Sequence, residues 1–184
     1  VTFEQLQSAT DASLFELMAA AKIANPRRRA LLDTYLEAWS RRRLPKRVAV
    51  YPVYANQSAQ QDLIDRFFGA GSADERRATE RRMTDALAKK VGREIPVMLY
   101  CPAGKMQLKQ AKMLVRWPGN THLTRLSDHS AEIPRLQDLE NSYTRMWKFY
   151  VHALTNDPVE LAAASEVCAE FFPSALNVLD RVRI

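Results

Sequence analysis

Long apolar runs are missing from this sequence. No window approaches the roughly 20 consecutive apolar residues that a helix needs to cross a bilayer, and no signal-peptide pattern is present. We therefore expect no membrane partner. The chain starts at Val1 rather than at methionine, and we interpret this start as either a trimmed terminus or a cut from a longer protein.

Cysteine and histidine are scarce as well. Cys101 and Cys168 are the two cysteines, and each lies within an apolar pattern. This favours reduced, buried thiols in a cytoplasmic protein over the alternative, a disulfide. The three histidines and two cysteines show no CxxC or HxxxH spacing, so the residues predict no metal site and no cofactor in this chain.

Sequence motifs of common enzymes are also missing. Among five glycines, Gly69 and Gly71 are not followed by the Lys-Ser/Thr pair of a phosphate-binding loop, and no GxSxG motif occurs. Asp128 and His129 form the one Asp-His pair, in a segment typical of a turn. A catalytic role for His122 or His129 is an alternative, but the residues favour a chain that is not catalytic by itself.

Apolar segments of helical spacing are interleaved with short segments rich in β-branched and aromatic residues. This order predicts an α+β fold with a small, mostly antiparallel sheet. Strands are expected near residues 47–54, 96–101, 112–117 and 144–153. The length of 184 residues suits a single domain, with a helical pair over 1–45 and an α+β body over 46–184.

The apolar run Val97–Cys101 is the clearest strand, because Pro96 and Pro102 enclose it and its spacing is not helical. We interpret it as buried on both faces and, together with Met113–Val115, as the middle of the sheet. Segment 143–154 fits either a helix or a strand, and its aromatic residues favour a strand. Residues 176–182 are expected to form a final short helix.

Positive charge is the main chemical signal. The net charge is +6 and the isoelectric point about 9.5, which permits an anionic partner. Basic residues are concentrated between a predicted helix and the first predicted strand, where Arg42 and Lys46, assisted by Arg43 and Arg47, could bind phosphate. Arginine offers a planar fork of donors and lysine a point charge. The alternative is a solvated helix end with ordinary capping value.

Other basic residues are expected at the surface. A second cluster comprises Lys105, Lys109, Lys112 and Arg116, and the predicted helix 73–91 carries Arg76, Arg77, Arg81 and Arg82 among acidic residues. A basic nucleic-acid-binding module is therefore an alternative function. Against it, the aromatic residues follow apolar stripes, whereas base stacking requires exposed rings.

Four short blocks carry a resemblance to a known family. They are Thr10-Asp-Ala-Ser-Leu-Phe15, Arg42-Arg-Leu-Pro-Lys-Arg-Val48, Val97-Met-Leu-Tyr-Cys101 and Trp147-Lys-Phe-Tyr-Val151. In this order they are similar to segments of the HD-domain dNTP triphosphohydrolases, including bacterial HD phosphohydrolases. The blocks span most of the chain.

The resemblance implies a region that follows the HD catalytic core, packs on that core, supports a homo-oligomer and lines a regulatory nucleotide site. Arg42 and Lys46 match basic positions that contact the phosphates of a bound GTP or dNTP, and Leu44 matches the apolar position between them. The sequence contains no His-Asp dipeptide, so the divalent metal is expected in the core of the parent enzyme. Pro45 and Pro102 depart from the family pattern.

Overall fold

The computed structural model describes residues 2–103, 113–119, 121–129 and 131–179. The chain divides into two compact units, residues 1–46 and 47–184. Within the described ranges, no helix combines the length and the apolar character that a membrane crossing requires. The fold is α+β, as predicted, with helices that accompany small antiparallel sheets.

The first unit is helical and contains α1 (Phe3–Gln7), α2 (Asp11–Ala20) and α3 (Pro26–Ser40). Thr10 caps α2, because its hydroxyl accepts a hydrogen bond from the Ser13 amide while Ser13 Oγ accepts one from the Thr10 amide. Asn25 caps α3, because its side-chain oxygen accepts from the Arg28 amide, and Pro26 occupies the first turn. These local signals produce the predicted helical pair, α2 and α3.

Strand β1 begins at the end of the first unit, and the remaining elements belong to the second. They are β1 (Lys46–Pro52), α4 (Gln57–Phe67), α5 (Ala73–Val91), β2 (Val97–Tyr100), β3 (Leu114–Arg116), β4 (Leu123–Arg125), α6 (Pro134–Arg145), β5 (Lys148–Ala153) and α7 (Pro158–Phe171). Short 3-10 turns cover Val53–Ala55 and Leu126–His129.

The main sheet has the strand order β1-β5-β2. Strand β5 pairs antiparallel with β2, with Val97 opposite Ala153 and Tyr100 opposite Tyr150. On the other side of β5, the Val53 amide just after β1 donates to the carbonyl of Trp147 at 3.0 Å. The central strand is therefore β5, and the expectation that segment 96–117 forms the middle of the sheet is wrong.

Strand β2 is buried on one face only. Val97 and Leu99 are buried, Met98 is half-buried, and 56% of Tyr100 is exposed. The prediction of burial on both faces is wrong, because an antiparallel sheet can pack helices against one face and leave the other open. The outer edge of β2 is closed by α5: Glu80 accepts from the Leu99 amide at 2.9 Å, and Thr84 from the Val97 amide at 3.1 Å.

The strand expected near 112–117 belongs to a different sheet. Lys112 lies outside the described residues, and Leu114–Arg116 pairs antiparallel with Leu123–Arg125 in a two-stranded sheet. No strand was predicted at Leu123–Arg125, so β4 was missed. Strands of three residues are too short to show an alternating pattern, so their pairing is a matter of tertiary contact.

Segment 144–153 combines two elements, which explains its mixed periodicity. Helix α6 continues to Arg145, and β5 begins only at Lys148. At the C-terminal end, the described residues 172–179 form no helix, contrary to expectation. Instead, the Val178 amide donates to the Val50 carbonyl at 3.0 Å, so this segment lies along β1.

Aromatic rings form the centre of the second unit's core. Phe149 on β5 lies 5.5 Å from Phe67, 5.9 Å from Tyr51 and 5.4 Å from Phe172, measured between ring centroids. All four residues are almost completely buried. Burial of such large side chains holds α4, the sheet and the end of α7 together.

Candidate functional site

The end of α3 carries the predicted basic cluster, and three consecutive backbone amides there donate to carbonyls of the last turn. The Arg41 amide donates to the Glu37 carbonyl at 3.0 Å, the Arg42 amide to that of Trp39 at 2.9 Å, and the Arg43 amide to that of Ala38 at 2.7 Å. This pattern is the Schellman motif, which satisfies the last carbonyls of a helix. No basic side chain is needed to cap these carbonyls, which weakens the interpretation of the cluster as a helix cap.

Arg42 occupies the left-handed position of this motif, with a φ of 54°. Among the described residues it is the one non-glycine residue with positive φ. Glycine is the usual residue at this position, because a side chain there costs about 1–2 kcal/mol. Strained backbone positions are concentrated at functional sites, so Arg42 is a candidate functional residue.

The basic side chains at this helix end are exposed. Arg42, Arg43 and Lys46 all project into solvent, and none forms an ion pair with another described residue, whereas Arg41 contacts Glu37 at 3.1 Å. Arg42 and Arg43 are adjacent, and Lys46 follows at the start of β1. The first unit therefore presents several uncompensated cations within one short segment.

Arg47, the fourth predicted residue, belongs to the second unit. It is exposed at the start of β1, and its charge acts on His152 of β5. Burial of the imidazole, reinforced by the positive charge of Arg47, lowers the pKa of His152. The participation of Arg47 in a shared phosphate site stays a prediction.

The other basic residues behave in different ways. Lys105, Lys109 and Lys112 lie outside the described residues, while Arg116 is exposed on β3. On α5, Arg77 is exposed and contacts Asp74 at 2.7 Å, as expected for a surface helix. The half-buried Arg76 differs from the prediction, because its guanidinium donates to the Phe67 carbonyl at 3.0 Å and links α5 to the end of α4.

His129 lies in a side-chain cluster that the sequence analysis missed. Its Nε2 is 2.7 Å from Thr124 Oγ1, and its Nδ1 is 3.3 Å from a carboxylate oxygen of Glu132. The Trp117 ring stacks on the buried imidazole at 4.2 Å, and its indole nitrogen donates to Glu132 at 2.8 Å. These contacts join β3, β4 and the segment before α6, and a catalytic role for His129 stays an untested alternative. Asp128 accepts from the Arg125 amide within the predicted turn.

The cysteines are buried free thiols, as predicted. Burial raises the pKa of the Cys101 thiol to about 11, so this residue is protonated at neutral pH and is a poor nucleophile. Cys168 lies in the core between α7 and the sheet. Within the part of the chain that the structure describes, no group of three His, Cys, Asp or Glu residues could hold a metal ion.

The outward face of β2 and β5 carries aromatic rings that the sequence analysis assigned to the interior. Tyr100 and Tyr150 are directly opposite in the strand register, with ring centroids 6.0 Å apart. The His152 ring follows at 5.9 Å from Tyr150. The alternation of β5 in sequence could have suggested an outward Tyr150 and His152, but the proximity of Tyr100 required the register.

Comparisons with known proteins leave the family open: no family model, curated protein or solved structure matches the chain. Function is therefore inferred from the residues and their geometry. Two surfaces support such an inference, the basic segment after α3 in the first unit and the aromatic face of β2 and β5 in the second.

Proposed function

We propose that this chain is a non-catalytic C-terminal domain of an HD-type (deoxy)nucleotide phosphohydrolase, which serves oligomer assembly and nucleotide-dependent regulation in the cytoplasm. The observation that carries the nucleotide role is Arg42, an exposed arginine in the left-handed position that glycine usually occupies. Its resemblance to the family's phosphate-contacting position agrees with the same role.

The exposed cations suit the phosphates of GTP or a dNTP. Arg42 and Arg43 each offer a planar set of N–H donors, and Lys46 adds a compact charge. Charge-assisted hydrogen bonds of this kind contribute roughly 1.5–3 kcal/mol each. Because none of these side chains has an acidic partner among the described residues, a phosphate would not have to displace one. For Arg47, which begins the second unit, phosphate binding stays a prediction from the sequence.

A partner for the first unit is supported by helix α2. Its ten residues are mostly apolar, yet none of them is buried. Helices in proteins gain most of their stability by packing an apolar face. We therefore expect the apolar residues of α2 to pack against a further surface. We infer that this surface belongs to the HD catalytic core, either of the same subunit or of another subunit in a homo-oligomer.

Metal chemistry is assigned to that core rather than to this chain. The described residues bring together no three side chains of the type that bind metals, and the sequence contains no His-Asp dipeptide. The divalent metal and the hydrolytic step would accordingly belong to the parent enzyme. The present chain would bind the regulatory nucleotide.

Calorimetric titration with GTP and with dNTPs tests the phosphate site. The double variant Arg42→Ala, Lys46→Ala should lose measurable binding, because two charge-assisted contacts are removed. The matched control is Arg77→Ala, Arg81→Ala, which removes the same charge from exposed positions of α5 and should keep the wild-type affinity. Unchanged affinity in the first variant, or equal losses in both, would contradict the proposed site.

Nucleic-acid binding is the second candidate function, and the exposure of Tyr100 is the observation that favours it. The net charge of +6 is compatible with this function. A nucleic-acid-binding module would lose affinity steeply between low and moderate salt, because binding releases counterions. An affinity that does not depend on salt would exclude it.

A further inference from the structure

The main sheet has an open face with a distinct composition. On β5, Phe149, Val151 and Ala153 are fully buried, whereas the alternate residues Lys148, Tyr150 and His152 are half-buried. On β2, the residues of the same open face are Met98 and Tyr100. None of the outward residues of these two strands is acidic.

The rings of this face lie side by side. The Tyr100 and Tyr150 centroids are 6.0 Å apart with an interplanar angle of 43°, and those of Tyr150 and His152 are 5.9 Å apart with an angle of 29°. Tyr100 is the most accessible of the three, with 56% of its surface exposed. Core packing does not explain why Tyr100 is so exposed, because a tyrosine stabilises the fold only through the area that it buries.

Basic groups border the rings. Lys148 begins β5 on the same face as Tyr150, and Arg47 is close enough to His152 to affect its protonation. Burial and the Arg47 charge lower the pKa of His152, so the imidazole is uncharged at neutral pH and acts as a plain aromatic ring. The surface thus combines stacking groups with positive charge.

We propose that the face formed by Tyr100, Tyr150 and His152 binds single-stranded nucleic acid, with successive bases stacked on the rings and phosphates near Lys148 and Arg47. Stacking on side chains requires bases that are free of a duplex, and sheets with adjacent exposed aromatics can bind two or three such bases. This inference rests on the second candidate function and uses none of Arg42, Arg43 and Lys46.

Fluorescence anisotropy with a fluorescein-labelled oligo-dT of about 12 nucleotides, within the usual site sizes for single strands, tests the proposal. Stacking on one ring contributes about 1–3 kcal/mol, so Tyr100→Ala should weaken binding by about 5- to 150-fold. Tyr100→Phe should retain the wild-type affinity, because it keeps the ring. Tyr54→Ala is the matched control, since Tyr54 is 66% exposed outside this face.

Tyr150→Ala should weaken binding similarly, and a thermal melt of the variant will confirm that this half-buried substitution leaves the fold intact. Lys148→Ala should reduce the slope of affinity against salt by about one unit. The proposal is overturned if oligo-dT does not bind, if Tyr100→Ala behaves like Tyr54→Ala, or if dTTP competes at the same concentration as the oligonucleotide. If binding persists while Tyr100→Ala has no effect, nucleic-acid binding stands and this face is excluded.

Discussion

Replacement of Arg42 by glycine should separate the stability of this chain from its function. The φ of 54° at Arg42 costs a non-glycine residue about 1–2 kcal/mol. Glycine avoids that cost but gives the unfolded chain more conformational freedom, which opposes folding by about 0.4–1 kcal/mol. The expected net gain in the free energy of unfolding is therefore about 0.5–1 kcal/mol.

The same substitution removes a guanidinium from the proposed phosphate site. Loss of a charge-assisted hydrogen bond of roughly 1.5–3 kcal/mol should weaken binding of GTP or a dNTP by about 10- to 150-fold. In a chain of this size the stability gain corresponds to a rise of about 1–4 °C in Tm. Arg42→Gly should thus be more stable than the wild type and bind nucleotide less tightly.

Thermal denaturation followed by circular dichroism and titration calorimetry measure the two effects. Arg43→Gly is the control, because Arg43 does not have positive φ, and glycine there should lower Tm. If Arg42→Gly lowers Tm as much as Arg43→Gly, the account of backbone strain is wrong. If it raises Tm and leaves nucleotide affinity unchanged, the strain is real but the arginine does not bind phosphate.

The remaining predictions concern the second unit and can be measured by urea denaturation. Burial raises the pKa of Glu80 above its ordinary 4.5, because the buried site favours the protonated carboxyl. This preference stabilises the folded state fully below pH 4.5, and the stabilisation is lost as the pH rises through the pKa of Glu80 in the folded state. Glu80→Gln, which keeps the acceptor, should lose less stability between pH 4 and 7, and a parallel pH profile would refute this account. Hydrogen bonds from Arg93 and, to a smaller extent, from Thr155 lower the pKa of Glu160. The wild type should therefore lose stability as the pH falls through and below 4.5, whereas Glu160→Gln should lack this loss. Gly92 has a φ of 79°, and Gly92→Ala should have a net cost of about 0.5–1 kcal/mol after the lower entropy of the unfolded chain is subtracted; no loss would mean that the helix end rearranges. Phe149→Ala should cost about 3–5 kcal/mol by emptying the aromatic core, and a loss below 1 kcal/mol would contradict the packing described here.

Helices with strong local signals were predictable. The expected helix 73–91 coincides with α5. Acidic residues in the first turn and lysines in the last mark the ends of α5, and the Asp157 side chain caps α7. Such signals depend on neighbours in the chain, so sequence alone is sufficient to read them.

The sheets were predictable only in outline. The strand near 96–101 was correctly located, but its burial on one face and its position at an edge follow from pairing with β5, about 50 residues away in the chain. Likewise, the pairing of Leu114–Arg116 with Leu123–Arg125 could not be read from segments of three residues. Strand pairing depends on contacts across the fold, and a short apolar segment does not reveal its partner.

Of the two candidate surfaces, one could be predicted from the sequence and the other could not. The basic segment after α3 is visible in the sequence because its charges are nearly consecutive, and chain connectivity keeps Arg42 and Arg43 together. The aromatic face is not visible, because Tyr100 and Tyr150 become neighbours only through the register of β2 and β5. Composition and the local order of residues thus determined the helices and the position of the charge. The pairing of distant strands determined which rings face solvent, because side chains on adjacent strands meet only once the hydrogen-bond register is set.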